Sequence, residues 1–316
     1  MKKIKTAVIG AGNMGSNHAR IYSEISNLVA VSDINSEVGR SLANKYNVKF
    51  YQNYKEMIDK EKLEAVSVVV PTQYHSKVAI ECLENKISTL LEKPIAKNLD
   101  QASKIIAQAK KSKTVLMIGH IERFNPATVT LKGIIDKKKL GTIISLLAIR
   151  VGINPPKVPN ADVSLDLAIH DIDIFNYLLD SFPISKKIVK HKVYKNNKAD
   201  SSSIILEYPS TTGIIQTNWI TPIKIRKLLI TGSKGYCELD YVKQKLSIYN
   251  SPVHLLADDG FSNILSLSNN PKKDVLVSRK EPLREEISYF LKNKNNIGAF
   301  DNGLSAYKAL EVLLTS

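Results

Sequence analysis

The chain has 316 residues, 43% of them apolar and 24% charged, which suits a folded protein of two ordinary domains and excludes a disordered one. Its formal net charge of +15 invites a nucleic-acid reading, but the lysines are scattered, as at Lys110-Lys111, Lys137-Lys138-Lys139 and Lys186-Lys187, and no nucleic-acid-binding motif accompanies them. No apolar run approaches the ~18 residues of a membrane span, and two cysteines, Cys82 and Cys237, make no disulfide framework. The apolar stretch after Met1-Lys2-Lys3 ends in a glycine turn, with no small-residue cleavage site. We therefore expect a soluble, cytoplasmic protein that binds neither nucleic acid nor membrane and directs its positive charge at small anionic substrates.

In chain order, a buried strand over Ile4–Ile9 runs into Gly10-Ala11-Gly12-Asn13-Met14-Gly15, and a helix is predicted from Ser16 to Ile25. Strand, glycine turn and helix are the context in which G-x-G-x-x-G binds a dinucleotide, with pyrophosphate on the free N–H groups of the helix start. A second strand, Leu28–Ser32, ends at Asp33, 18 positions beyond Gly15, close to the ~20 expected of a carboxylate that holds the adenosine ribose. An anion there repels a 2′-phosphate, and no arginine follows at Ile34 or Asn35, so NAD is favoured over NADP. The alternative role for Asp33 is the N-cap of the Ser36–Tyr46 helix.

The alternation continues with strands at Lys49–Tyr51, Ala65–Val70, Ser88–Leu91 and Val115–Gly119, and with helices at Tyr54–Asp59, His75–Asn85 and from Asn98, where Gln101 stands as a capping-box partner. Such a pattern predicts a parallel, doubly wound α/β sheet over residues 1–122, with ligands at the carboxyl ends of the strands. Pro71, Thr72 and His75 mark one such end, and Glu92, Lys93 and Pro94 another. Residues 123–316 change character. Asn125-Pro126 starts a helix, a strand at Thr142–Ile149 and a Pro-rich loop at 154–159 precede a helix over Ser164–Leu179, and six strand-like runs follow between Lys187 and Tyr249. Ser251–Lys273 reads as an irregular polar excursion, and Leu283–Leu291 and Leu304–Leu314 as closing helices. This half is expected to be an α+β domain on a mainly antiparallel sheet.

Two groups of residues invite chemistry. A lysine at position 93 can hydrogen-bond a substrate hydroxyl beside a bound nicotinamide, whose positive ring would lower its pKa; the plain alternative is a solvated lysine in a strand-ending turn. On the Ser164–Leu179 helix, Asp166, His170, Asp173 and Tyr177 recur at i, i+4, i+7 and i+11, a polar stripe on one face. Asp166 can orient the His170 imidazole as a general base; the alternative is a surface charge pair worth a few tenths of a kcal/mol. No H-E-x-x-H pair or zinc-ligand spacing occurs, so no metal is expected.

Together the Gly10–Gly15 turn, Glu92-Lys93-Pro94 and Asp166-x-x-x-His170 resemble the glucose–fructose oxidoreductase/inositol dehydrogenase (Gfo/Idh/MocA) family, in order and placement over essentially the whole chain. The resemblance implies a Rossmann domain followed by a substrate-binding and oligomerisation domain. It also implies that Lys93 and His170 act on the substrate hydroxyl with Asp166 in support. A narrower similarity, carried by Gly119–Pro126, Asn218-Trp219 and Pro222–Lys227, is to UDP-N-acetylglucosamine 3-dehydrogenase-like members. On that basis Arg123, Asn125, Trp219, Lys224 and Arg226 are expected to bind substrate. Lys224 and Arg226 share one side of an extended segment and suit a phosphate, or else they guard an edge strand against aggregation.

The expectation is an NAD-dependent sugar dehydrogenase that forms a homodimer or homotetramer. Its substrate is expected to be a nucleotide sugar, with an inositol or another polyol as the alternative. The rival from another class is a non-catalytic dinucleotide sensor.

Overall fold

The computed structural model describes residues 3–153, 162–194, 198–250, 272–301 and 303–315. They fall into two compact units, 1–121 with 281–316, and 122–280.

The first unit is built on six parallel strands: β1 (Lys5–Ile9), β2 (Asn27–Ser32), β3 (Lys49–Tyr51), β4 (Ala65–Val68), β5 (Ser88–Glu92) and β6 (Leu116–Gly119). Their order, β3-β2-β1-β4-β5-β6, reverses between β1 and β4 and makes this the doubly wound arrangement. The central strands are apolar throughout because helices cover both faces; Ala7, Val8, Val66, Val68, Leu90 and Leu91 are fully or almost fully buried. The helices are α1 (Asn13–Ile25), α2 (Ser36–Lys45), α3 (Tyr54–Glu61), α4 (His75–Glu84) and α5 (Leu99–Ser112). Asn98 Oδ1 accepts from Gln101 N at 2.9 Å, but Gln101 Oε1 makes no reciprocal bond, so the expected capping box is half formed.

The closing helices α8 (Pro282–Asn293) and α9 (Leu304–Leu314) belong to this first unit, which corrects the expectation that 123–316 form one domain. α8 packs on α1, and α9 packs on α5 and buries Ala306, Ala309, Leu310, Val312 and Leu313. An amphipathic pattern announces an apolar face but not the surface that receives it.

The second unit holds α6 (Pro126–Asp136), β7 (Ile143–Val151), α7 (Ile169–Leu179), β8 (Ser185–His191), β9 (Ser201–Tyr208), β10 (Thr211–Asn218), β11 (Ile225–Gly232), β12 (Gly235–Asp240), β13 (Lys245–Asn250) and β14 (Lys272–Val275). The sheet order is β14-β13-β12-β11-β7-β10-β9-β8, antiparallel except for the β7/β10 pair. Most of the expected polar excursion and the Pro-rich loop lie outside the described residues. Strands β9 and β10 alternate buried and open positions, as a sheet covered on one face must. The face left open by the described residues carries a row formed by Ile205, Ile214, Leu147 and Leu229 on adjacent strands, with Ile205 47% exposed. Among the described residues no helix is long and apolar enough to cross a membrane.

Candidate active site

In the first unit the site elements converge at the carboxyl edge of the sheet. Gly10 has φ +102°, and a Cβ there would lie 2.5 Å from the Val69 carbonyl oxygen beyond β4, so only glycine lets this turn pass the switch point. A Cβ on Gly15 would fall 1.8 Å from the Gly10 carbonyl oxygen, which is how closely α1 approaches β1. Gly12 differs: nothing lies within 4 Å of its would-be Cβ. Helix α1 begins at Asn13, earlier than expected, with no side-chain cap and no acidic residue in its first turn. Open space over Gly12 and an uncapped helix start at Asn13 and Met14 fit a pyrophosphate.

Asp33 is half-buried after β2; its Oδ2 accepts from Ala11 N at 2.6 Å and its Oδ1 from Asn35 N at 2.8 Å. The cap of α2 is Asn35, which accepts from Glu37 N and Val38 N, so Asp33 has no capping duty and keeps acceptor capacity beside the glycine turn. Pro71 is exposed and Thr72 half-buried at the end after β4. His75 reads in the sequence either as a liner of the cofactor or substrate pocket or as a packing residue at a helix start, and it opens α4. It is buried, with Nδ1 and Nε2 each 2.8 Å from a backbone oxygen, those of Pro94 and Val70. Burial pushes its pKa below the ordinary histidine value, against these two carbonyls, which favour the charged ring. Its role is to tie the end of β4 to the Lys93 turn.

That turn follows β5 with a cis Lys93–Pro94 peptide and a half-buried Lys93. The Glu92 carboxylate points inward, where Oε1 accepts from His18 Nε2 at 3.2 Å and Oε2 from the Lys93 N–H at 3.2 Å. Burial alone would raise the Glu92 pKa, but the hydrogen bond from His18, with the Lys93 charge beside it, brings it below the usual carboxylate value. Glu92, expected among the cofactor-binding residues, supports the turn through these contacts.

In the second unit the expected uniform helix is replaced by a π-helical turn, Ser164–Ala168, leading into α7, with Ile169 N donating to Ser164 O five residues back. Such turns recur at functional positions. Asp166 sits in the π turn and His170 in the first turn of α7, both half-buried and four residues apart. Asp173 is buried in an ion pair. Its two oxygens take Arg123 Nε and Nη2 at 2.7 and 2.6 Å, and the same guanidinium lies 5.2 Å from the centre of the Tyr177 ring. Asp171, two residues back, grips Arg150 Nε and Nη2 at 2.8 and 2.9 Å, while Arg150 Nη1 reaches Glu122 at 2.8 Å and the cation lies over Tyr241. Burial opposes the charge on Arg150, but Asp171 and Glu122 more than offset it. Burial also pushes the Asp171 carboxyl up against the pull of that arginine; a two-pronged guanidinium contact is the geometry of a carboxylate, and we take the pair as ionised. These two forks fix α7 to β7 and to the turn Ile121–Phe124, and so hold the helix that presents His170.

Residues 4–120 match the oxidoreductase family with an NAD-binding Rossmann fold, and residues 128–238 match the GFO/IDH/MocA C-terminal domain. The chain belongs to the Gfo/Idh/MocA oxidoreductase family. It is 27% identical to UDP-N-acetylglucosamine 3-dehydrogenase from Acidithiobacillus ferrooxidans, over 99% of this chain and 96% of that one. It is also 27% identical to myo-inositol 2-dehydrogenase from Thermotoga maritima, over 76% of each. The solved structure of the Acidithiobacillus ferrooxidans enzyme superposes with a TM-score of 0.85 at 25% identity, covering 99% of this chain and 96% of that chain. Levoglucosan dehydrogenase, solved with NADH and levoglucosan, shares the fold at a TM-score of 0.83 and 16% identity, covering 98% of this chain and 95% of that one.

For this Gfo/Idh/MocA chain the expected substrate residues divide. Trp219 is 2% exposed and packs with Val163, Ala199 and Leu167, so its ring belongs to the core and offers no sugar platform. Asn125 is also buried; its Oδ1 caps α6 through Ala127 N and its Nδ2 donates to the Tyr241 carbonyl. Arg123 is committed to Asp173. Lys224 is exposed on the turn that Asn218 Oδ1 shapes by accepting from Ile220 N and Thr221 N. Arg226 donates through Nη1 to the Val151 and Ile225 carbonyls. Tyr22, Ser67 and His18 escaped the sequence reading; the only local signal was a histidine three residues after Gly15, on the face of α1 that also buries Ala19 and Tyr22.

Proposed function

We propose that this oxidoreductase uses NAD to oxidise the 3-hydroxyl of a UDP-N-acetylhexosamine. The observation that carries the dehydrogenase reading lies at one sheet edge: an uncapped helix start, a carboxylate after β2 and a lysine after β5. The Gly12 to Gly15 backbone would hold the pyrophosphate and Asp33 the adenosine ribose, which disfavours a 2′-phosphate and hence NADP. When bound, NAD supplies the hydride acceptor. His170 takes the substrate hydroxyl proton, Asp166 orients and steadies the resulting imidazolium, and Lys93 hydrogen-bonds the same oxygen. Lys224 and Arg226 take the diphosphate, Arg226 through the guanidinium N–H groups that its two carbonyl contacts leave over. The nucleotide-sugar choice is supported by the near full-length likeness to the UDP-N-acetylglucosamine enzyme. The likeness to a myo-inositol dehydrogenase, over 76% of the chain, supports inositol as the second reading. The open apolar row Ile205–Ile214–Leu147–Leu229 supports a homodimer or homotetramer, checked by light scattering after size exclusion.

Lys93→Ala and His170→Ala should each lower turnover by ~10²–10⁴, the usual worth of a general acid–base group. The assay follows NADH absorbance with UDP-N-acetylglucosamine and myo-inositol side by side. Unchanged turnover in both variants overturns the roles, reduction with myo-inositol alone selects the second reading, and NAD binding without turnover of any alcohol points to a sensor.

A further inference from the structure

Below the Lys93 turn the first unit buries a line of side chains that the chemistry above does not use. Ser67 Oγ, on β4, lies 2.8 Å from Tyr22 Oη and 2.8 Å from His18 Nδ1, both on α1. His18 Nε2 continues the line to Glu92 Oε1, and Glu92 Oε2 accepts from the Lys93 N–H. Tyr22, His18 and Ser67 are fully buried, and the Glu92 side chain is 13% exposed.

We propose that Tyr22, Ser67 and His18 form a directed hydrogen-bond chain that holds Glu92 as an oriented anion, and that His18 thereby acts as a positioning residue for Lys93. The proposal rests on reading Lys93 as the group that contacts substrate.

The direction of the chain follows from the donor inventory. An ionised carboxylate only accepts, so His18 Nε2 carries a proton and donates. In the neutral ring Nδ1 then accepts, and its neighbour is the Ser67 hydroxyl. Having given its proton to Nδ1, Ser67 Oγ accepts from Tyr22, whose burial pushes its pKa up and keeps the phenol protonated. Each donor is used once and every one points toward Glu92. A chain aligned in this way polarises along its length, and inside a protein that favours the terminal anion. The far end of β6 makes room for it: a Cβ on Gly119 would stand 3.1 Å from Glu92 Oε1 and 3.3 Å from its Cδ. The titratable groups around Glu92 are His18 from α1, Lys93 on its own turn and His75 from α4, while Glu286 acts on the Tyr22 end. The anion gains from the Lys93 charge and fixes the Lys93 backbone.

The test uses two readouts. By carboxyl ¹³C NMR on glutamate-labelled protein, the Glu92 signal is assigned by its loss in Glu92→Gln. Its pKa should rise by about one unit in His18→Leu and less in Ser67→Ala, because a lowered carboxyl loses its donor. His18→Gln, which can still donate near the Nε2 position, should restore most of the shift. In turnover, with whichever of UDP-N-acetylglucosamine and myo-inositol is oxidised, His18→Leu should lower kcat about tenfold, as the loss of a hydrogen bond to a charged group would. Its KM for NAD should stay within about twofold, and its acid limb should move to higher pH. An unmoved Glu92 titration in both His18→Leu and Ser67→Ala overturns the chain; a raised titration with wild-type kcat overturns the positioning role. If His18→Leu does not fold, Ser67→Ala and His18→Gln decide by the same readouts. Lys93→Ala with wild-type turnover would instead sink the reading of Lys93 on which the proposal rests.

Discussion

The two compact units bury polar side chains in opposite styles. In the first, neutral donors line up behind one carboxylate, Tyr22 to Ser67 to His18 to Glu92, and the single negative charge sits at the partly open end. In the second, full charges are set against each other in forks, Arg150 with Asp171 and Glu122, and Arg123 with Asp173. The difference decides how each unit fails. A neutral chain that loses one member leaves a polar group short of a partner, a cost of about 1–3 kcal/mol. A fork that loses its arginine strands a buried carboxylate, at about 3–5 kcal/mol, although an apolar pair of similar volume can be as stable as the ion pair it replaces.

The largest expected effect therefore lies in the second unit. Arg150→Met should lower the unfolding free energy by about 3–5 kcal/mol in a urea titration, and the double change Arg150→Met with Asp171→Leu should recover most of it. Equal losses in the single and double variants would mean that the charges are not what costs. Next come the glycines of the first unit, where the backbone carries the function. Gly15→Ala should cost about 1–3 kcal/mol, since its Cβ has no room against Gly10. Gly12→Ala should leave the melting temperature unchanged yet weaken NAD binding about tenfold, roughly 1.4 kcal/mol, because its Cβ enters open space that the pyrophosphate would fill. Calorimetric titration separates the two; unweakened NAD binding in Gly12→Ala would remove the cofactor from this turn. The smallest effect, about 1 kcal/mol, is expected for Asn35→Ala, which removes the cap of α2. That variant should leave NAD preference intact, whereas Asp33→Ala should relax it toward NADP.

The same contrast sets what the sequence makes legible. The parallel sheet, the glycine turn and the lysine after β5 are announced by local spacing, because they are backbone features built from consecutive residues. The forks and the chain are not. Ser67 lies 49 positions from His18, and Glu92 lies 74 from it, so a lone histidine on an apolar helix face gives no hint of either partner. The stripe Asp166, His170, Asp173 and Tyr177 shows the limit of periodicity. It put the four residues on one face, but Arg123, fifty positions away, claims Asp173, and a π turn replaces the first turn of the expected helix. Trp219 and Asn125 are expected as ligands from the narrower family similarity, whereas burial and capping are their observed work. The helices after residue 281 were placed with their sequence neighbours, although the apolar surface that takes them is that of α1 and α5.

That last feature bears on how the molecule is made. A chain emerging from the ribosome delivers the whole of 122–280 before it delivers α8 and α9, so the later half in sequence can be complete while the nucleotide-binding half still lacks two of its covering helices. Until then α1 and α5 carry bare apolar faces, and a premature stop after residue 280 would yield a finished second unit attached to an unfinished first. The cofactor turn is translated before the second unit, yet its own unit closes after it.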